Sequence, residues 1–193
     1  MDVNRDINNL PSPFVLMKRC NRILEFESSG KPLHPLSVFV KTKPRKGKRN
    51  EMGELPFLAA NHIKSAFIIC ADHVLLAKTG TTWRLPSSTP SATTAKKDAC
   101  ITTVSSLMAS PKDMKRLLKE KEPKTIYENL DNFDTRTTRH AWVERSISKW
   151  ILDKKHFTGL IPASSSSSEW VHKSKIQQLH INTLDNIIIN QAL

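Results

Sequence analysis

The chain has 193 residues, 38% of them hydrophobic, enough for one domain of ordinary size around a single core. Thirty Lys and Arg against 18 Asp and Glu give a net charge of +12, which favours anionic partners: nucleotides, nucleic acid or an acidic membrane surface. Cys20, Cys70 and Cys100 form no CxxC pair, which argues against a zinc site or a disulfide framework, and no apolar run approaches the about 18 residues of a membrane-spanning helix.

Residues 1–50 carry 11 Lys/Arg and 4 Asp/Glu, so +7 of the net charge sits there. Pro11, Pro13, Pro32 and Pro35 punctuate this part, with an alternating piece at Ile23–Phe26 and a short candidate strand at Leu36–Val40. Lys41–Arg49 then holds six cations in nine residues without an acid and reads as a solvated basic arm. Asp2 and Asp6 spoil the basic region of a signal peptide, so the chain reads as soluble and intracellular, cytoplasmic before mitochondrial. Lys18, Arg19 and Arg22 leave a mitochondrial address open.

Gly53–His62 leads into a strand at Ser65–Ala71, and a turn at Asp72-His73 joins it to Val74–Lys78 as a hairpin. Thr79–Thr82 is the next turn, ahead of Trp83-Arg84-Leu85-Pro86 and a Ser/Thr-rich loop over Ser87–Thr94. Ile101, Val104, Leu107 and Met108 recur at helical spacing within Ala95–Met108, and Ser110-Pro111 opens a helix that runs to Glu122 and stops at Pro123. Thr125–Leu130, Ala141–Ile147 and Glu169–His172 read as strands, and Ser164–Ser168 as a low-complexity loop. Asn182 or Thr183 caps a last helix with Leu184, Ile187, Ile188 and Gln191 on one face.

The most suggestive stretch is Asp134 to Glu144, Asp-Thr-Arg-Thr-Thr-Arg-His-Ala-Trp-Val-Glu. On a strand, residues i and i+2 share a face, so Asp134 and Arg136 would reach one ligand together. Arg offers a bidentate fork to phosphate and Asp accepts from ribose hydroxyls, though the same two residues also make an ordinary surface ion pair.

Four pieces in order resemble the Nudix superfamily, and within it the mitochondrial ADP-ribose pyrophosphatase and the ADP-ribose-sensing domain of the melastatin-type TRP channel. Gly53, Leu55, Asn61 and His62 stand in the family's Gly-x-Leu and Pro-Asn-His pattern, with Ala60 for proline. Trp83-Arg84-Leu85-Pro86-Ser87-Ser88 stands for the Trp-x-Leu-Pro-Gly-Gly entry to the Nudix box, and Asp134–Glu144 for the Asp-Pro-Arg-x-Thr-x-x-Ala-Trp-x-Glu signature. Trp170, followed by Leu179-His180-Ile181-Asn182-Thr183, matches a tryptophan followed by Leu-Tyr-Ala-Asn-His. The resemblance covers residues 51–193 and implies an α+β fold: a Nudix-like α/β/α sandwich with a mixed sheet, a central degenerate Nudix helix and a C-terminal helix. Residues 1–50 would be an arm outside it.

The resemblance also implies ADP-ribose contacts at Asp134, Arg136, His180 and Asn182, with Asn61 and His62 lining the cleft or bracing the loop. The box itself has lost its chemistry. Thr94, Thr102, Thr103, Ser106 and Leu107 occupy its Glu, Arg-Glu and Glu-Glu positions, and Asp98 is the one acid between Trp83 and Met108. One carboxylate does not replace the cluster that holds Mg²⁺ against a pyrophosphate. The expectation is a non-catalytic, cofactor-free module for ADP-ribose or a related nucleotide, alone or in a larger assembly, with no catalytic and no metal-binding residue.

Two alternatives stand beside it. One is a residual Mg²⁺-dependent hydrolase using acids outside the box, such as Asp98, Asp113, Asp131 and Asp134. The other is an RNA-binding or assembly protein, since His73-Val74-Leu75-Leu76, Gly80-Thr81-Thr82 and Leu85-Pro86 also resemble the Nudix subunit of the pre-mRNA cleavage factor and a +12 chain suits a phosphate backbone.

Overall fold

The computed structural model describes residues 53–56, 59–91, 98–136 and 141–193, with backbone only at 59, 60 and 141. The basic arm, the candidate strand Leu36–Val40, Thr94 and the start of the first expected helix lie outside the described residues. The elements are β1 (Ala59–Cys70), β2 (His73–Thr79), β3 (Thr82–Arg84), α1 (Ala99–Ser106), α2 (Pro111–Glu120), β4 (Lys124–Leu130), β5 (Ala141–Leu152), β6 (Ser168–His172) and α3 (Thr183–Ala192), with 3-10 turns at Lys154–Gly159 and Lys173–Gln178. Among the described residues no helix is long and apolar enough to cross a membrane.

The chain divides into two compact units. Of the described residues, one takes in 53–56, 59–63, 90–91, 129–136 and 141–145; the other takes in 64–89, 98–128 and 146–193. Among the described residues the strands follow the order β3-β2-β1-β5-β4, and β6 pairs with β2. Side chains alternate across this mixed sheet. Ala66, Ile68, Cys70, Leu75, Trp150 and Leu152 meet the buried residues of α1 and α2, including Val104, Met114 and Leu118. Phe67, Ile69, Val74, Leu76 and Ile147 face the other way, toward Leu184, Ile188 and Ile189 of α3. Helices therefore cover both faces of the sheet, giving a three-layer α+β sandwich.

Several boundaries move for local reasons. The β1–β2 turn is Ala71-Asp72, one residue earlier than expected, because Cys70 pairs with His73. Ala71 has φ 52°, a conformation that suits glycine better. β5 continues to Leu152, five residues past the expected end, since Trp150 and Leu152 keep burying into the helical layer. The serine stretch is pinned: Ser166 Oγ donates to the Leu107 and Ala163 carbonyls, and Ser167 Oγ to the Lys78 carbonyl. In α3 the buried face is Leu184, Asp185, Ile188 and Ile189, while Ile187 and Gln191 are exposed, which corrects the expected stripe. The cause is Asp185, whose buried carboxylate accepts the Leu85 N–H at 2.9 Å and turns the helix toward itself.

His73 heads β2 with its ring stacked 4.4 Å from Phe157 and edge-on to His172 at 5.1 Å, and its buried Nδ1 finds no hydrogen-bond partner among the described residues. Burial first, then the neighbouring His172 and Lys175, hold its pKa below the ordinary histidine value, with Asp72 pulling the other way. A histidine lowered in the folded state contributes fully above its unfolded pKa, and that contribution is lost as pH falls from there toward the folded value. Wild type is expected to lose more melting temperature between about pH 7 and about pH 5.5 than His73→Phe, the window that follows from an unfolded pKa near 6.5. Parallel pH profiles of the two proteins would remove this group from the account.

Candidate functional site

The first unit concentrates buried charge. Leu55, Ile63 and Val143 form its small apolar cluster. On β5, Trp142 and Val143 are buried as a strand between two covered faces requires, and so are the consecutive charged residues Glu144 and Arg145. Their side chains leave the strand on opposite faces. On one face Glu144 accepts the Trp142 Nε1–H at 3.2 Å and lies 3.7 Å from His62 Nδ1. On the other, Arg145 Nη1 stands 3.4 Å from Asp131 Oδ2, with both side chains almost fully buried.

The segment from Asp131 to Arg136 is a turn, not a strand, and two aspartates build it. Asp131 Oδ1 accepts the Phe133 N–H at 3.2 Å, and Asp134 Oδ1 accepts the Arg136 N–H at 3.0 Å. These successive side-chain turns offer the backbone its partners locally and so end β4 at Leu130. They also fold Arg136 back onto Asp134: Nε donates to Oδ1 at 2.9 Å and Nη2 to Oδ2 at 2.6 Å. Asp134 and Arg136 are therefore brought together as expected, by turn geometry in place of strand alternation.

The electrostatics of the two aspartates differ in sign. Burial pushes the Asp131 carboxyl above the usual range, and Arg145 only partly offsets it. Burial would also raise Asp134, but the side-chain and backbone bonds from Arg136 and the charges of Arg136 and Arg145 outweigh it and hold the carboxyl low. Its bonds to Asp134 raise the Arg136 guanidinium against the cost of burial, with further support from the charges of Glu54 and Asp131. The Asp134 contribution to stability is thus complete above the ordinary carboxylate pKa near 4 and disappears as pH falls from there through the folded value. Arg136 stays partly exposed, its side chain 30% accessible against 11% for Asp134. Two of its five N–H groups go to Asp134, which leaves three for a ligand.

Asn61 and His62 belong to this unit as well. Both are buried on β1, where the His62 backbone makes both hydrogen bonds of a bridge to Ser91. His62 stands with Glu144, on the face of β5 opposite Asp131 and Arg145, so it braces the Trp142 side of the strand.

His180 and Asn182 belong to the second unit. The Trp83 N–H donates to the His180 carbonyl and the Asn182 N–H to the Trp83 carbonyl, at 2.8 and 2.9 Å, which lays this segment along β3. The exposed His180 ring has Nδ1 3.3 Å from Thr82 Oγ1. Asn182 is the N-cap residue of α3, yet its side chain makes no capping bond, and its buried Oδ1 has no hydrogen-bond partner among the described residues. A cleft of about 690 Å³ in the same unit, lined by Lys124, Ile126, Lys149, Ile151 and Ile188 among others, contains none of the nominated residues.

Of the stretch standing for the Nudix box, residues 83–89 and 98–108 belong to the second unit. Ser87 and Ser88 replace its glycines, and neither has positive φ: among the described residues Ala71 is the one non-glycine that does. Their hydroxyls are spent on β1, Ser87 Oγ on Ser65 Oγ at 2.8 Å and Ser88 Oγ on the Lys64 N–H at 3.0 Å. In α1 the Thr103, Ser105 and Ser106 hydroxyls donate back to the Ala99, Ile101 and Thr103 carbonyls. Mg²⁺, which the box serves in the resembling family, needs hard carboxylate oxygens. The donor set on this helix does not fit it.

Sequence reasoning overlooked Asp131–Arg145, the Glu144–His62 contact and Asp185–Leu85, each formed across a long sequence separation. The available signal was the charged pair Glu144-Arg145 directly after the apolar Ala141-Trp142-Val143.

No family model matches the chain, and no curated protein matches it. Solved structures do. NrtR of Shewanella oneidensis aligns with a TM-score of 0.50 at 15% identity, over 68% of this chain and 60% of that one. A bifunctional NMN adenylyltransferase/ADP ribose pyrophosphatase from Francisella tularensis, crystallised with AMP and a manganese ion, aligns with a TM-score of 0.50 at 14% identity, over 72% of this chain and 42% of that one. A NUDIX-family hydrolase from Clostridium perfringens matches at 14% identity over 68% of this chain and 97% of that one, with a TM-score of 0.35. The chain spans less than two thirds of the first two. What the first two likenesses establish is the architecture alone: the chain has a Nudix-like fold.

Proposed function

We propose that this protein is a non-catalytic Nudix-like module that binds ADP-ribose or a related nucleotide through Arg136 and Asp134. The observation that carries the reading is the guanidinium fork. Two aspartate-built turns and a bidentate carboxylate hold Arg136 in place while three N–H donors find no hydrogen-bond partner among the described residues. A fixed, partly exposed guanidinium is suited to a phosphate or pyrophosphate. Binding without cleavage follows from α1, whose side chains at the box positions offer hydroxyls turned onto their own helix where hydrolysis would need carboxylates.

Arg136→Ala is expected to weaken ADP-ribose binding by about 1.5–3 kcal/mol, the range for a hydrogen bond to a charged group. Asp134→Asn should fold and lose preference for the ribose end. Titration calorimetry of the three proteins tests this. Equal affinities with unchanged melting temperatures would reduce Asp134 and Arg136 to a structural ion pair.

A further inference from the structure

The outer face of α2 has a composition that the nucleotide reading does not use. Lys112, Lys115, Arg116 and Lys119 lie at positions i, i+3, i+4 and i+7, so they form one stripe along the helix. At a rise of about 1.5 Å per residue the stripe is roughly 10 Å long. All four are exposed, and Met114, Leu117 and Leu118 on the opposite side are buried in the second unit's core. The helix is therefore clamped with its cations outward and cannot roll to bury an apolar face in a lipid interface, as a membrane-surface helix must.

We propose that this face docks the phosphodiester backbone of nucleic acid without regard to base sequence. The residues that α2 exposes beyond Pro111 are all charged: Lys112, Asp113, Lys115, Arg116, Lys119 and Glu120. A protein partner would need an apolar or aromatic anchor at the centre of its contact, and none is offered. Base recognition would need an aromatic platform or a groove-reading side chain fixed in place, and the face has no aromatic residue. What remains is positive charge spaced to meet consecutive phosphates.

The acids already on the face are weak competitors. Arg116 stands 3.7 Å from Asp113 and Lys119 stands 3.8 Å from Asp98, each pair more than half exposed. Exposed pairs of this kind contribute little, so exchanging them for phosphate costs little. Asp113 is additionally held by Ser110 Oγ at 2.6 Å, which keeps it at the start of the helix.

The test is fluorescence anisotropy of the full chain with labelled 20-nucleotide oligouridylate and a mixed-sequence strand of equal length, from about 50 to about 200 mM salt. Equal affinity for both strands is expected, with log affinity falling linearly with log salt. Lys115→Ala/Arg116→Ala/Lys119→Ala should bind tenfold or more weakly, lower the salt slope by about 2 (about 0.7 for each cation) and melt like wild type, because the three residues touch no core. The proposal is overturned if wild type does not bind, if the triple variant keeps both affinity and slope, or if polyglutamate of matched charge competes as well as the oligonucleotide.

Discussion

Arg145→Ala is expected to destabilise the protein by about 3–5 kcal/mol, the cost of removing one partner from a buried ion pair. Arg145 and Asp131 are 7% and 5% exposed, and the 3.4 Å separation is long for a charged hydrogen bond. The raised Asp131 carboxyl shows that burial already outweighs the attraction of Arg145, so the pair stabilises the fold only weakly while both charges are present. Deleting the guanidinium strands the carboxylate, which must then protonate or draw in water. Asp131→Leu/Arg145→Met should recover most of the loss, since apolar replacement of a buried pair is often neutral or stabilising. Urea unfolding separates these outcomes: a single variant as stable as wild type, or a double variant no better than the single, contradicts the assignment.

Trp150→Ala should cost about 3–5 kcal/mol as well, by a different mechanism. Trp150 is 3% exposed in the cluster that joins β1, β2 and β5 to α1 and α2, and its Nε1 donates to the Leu118 carbonyl at 3.2 Å. Truncation opens a cavity where the sheet meets the helical layer and leaves that carbonyl without its indole donor near the end of α2. Trp150→Phe keeps most of the volume and isolates the hydrogen bond, so it should cost about 1–2 kcal/mol. Denaturant melts of both variants decide the matter, and losses below about 1 kcal/mol for the alanine variant would mean the layer tolerates collapse at this point.

The sequence carried the layer architecture because strand and helix periods are local signals. Ser65–Ala71 and Val74–Lys78 are short apolar runs either side of a turn, and Ser110-Pro111 and Pro123 bracket α2, so these elements appear close to where they were expected. The Nudix-like order came from the resemblance of four motif pieces and not from these periods. Strand ends were not, because Asn61 and His62 stand near the start of β1 and β5 runs on past Ile147 through Ser148 and Lys149, polar residues whose place depends on what lies across the sheet. The face of α3 was misjudged because Asp185 is buried against the Leu85 N–H, a partner 100 residues away that no periodicity reports. At the candidate site the residues Asp134 and Arg136 were identified but their geometry was not: aspartate side chains bonding to the backbone replaced the expected strand with turns.

The central claim is binding without hydrolysis in a Nudix-like fold. Titration calorimetry of ADP-ribose into the full chain, once in chelator and once in Mg²⁺, tests it most directly. The account predicts a saturable isotherm of the same affinity in both buffers, with power returning to baseline after each injection. No binding heat in chelator, or a sustained power offset in Mg²⁺ from continuing turnover, would contradict it.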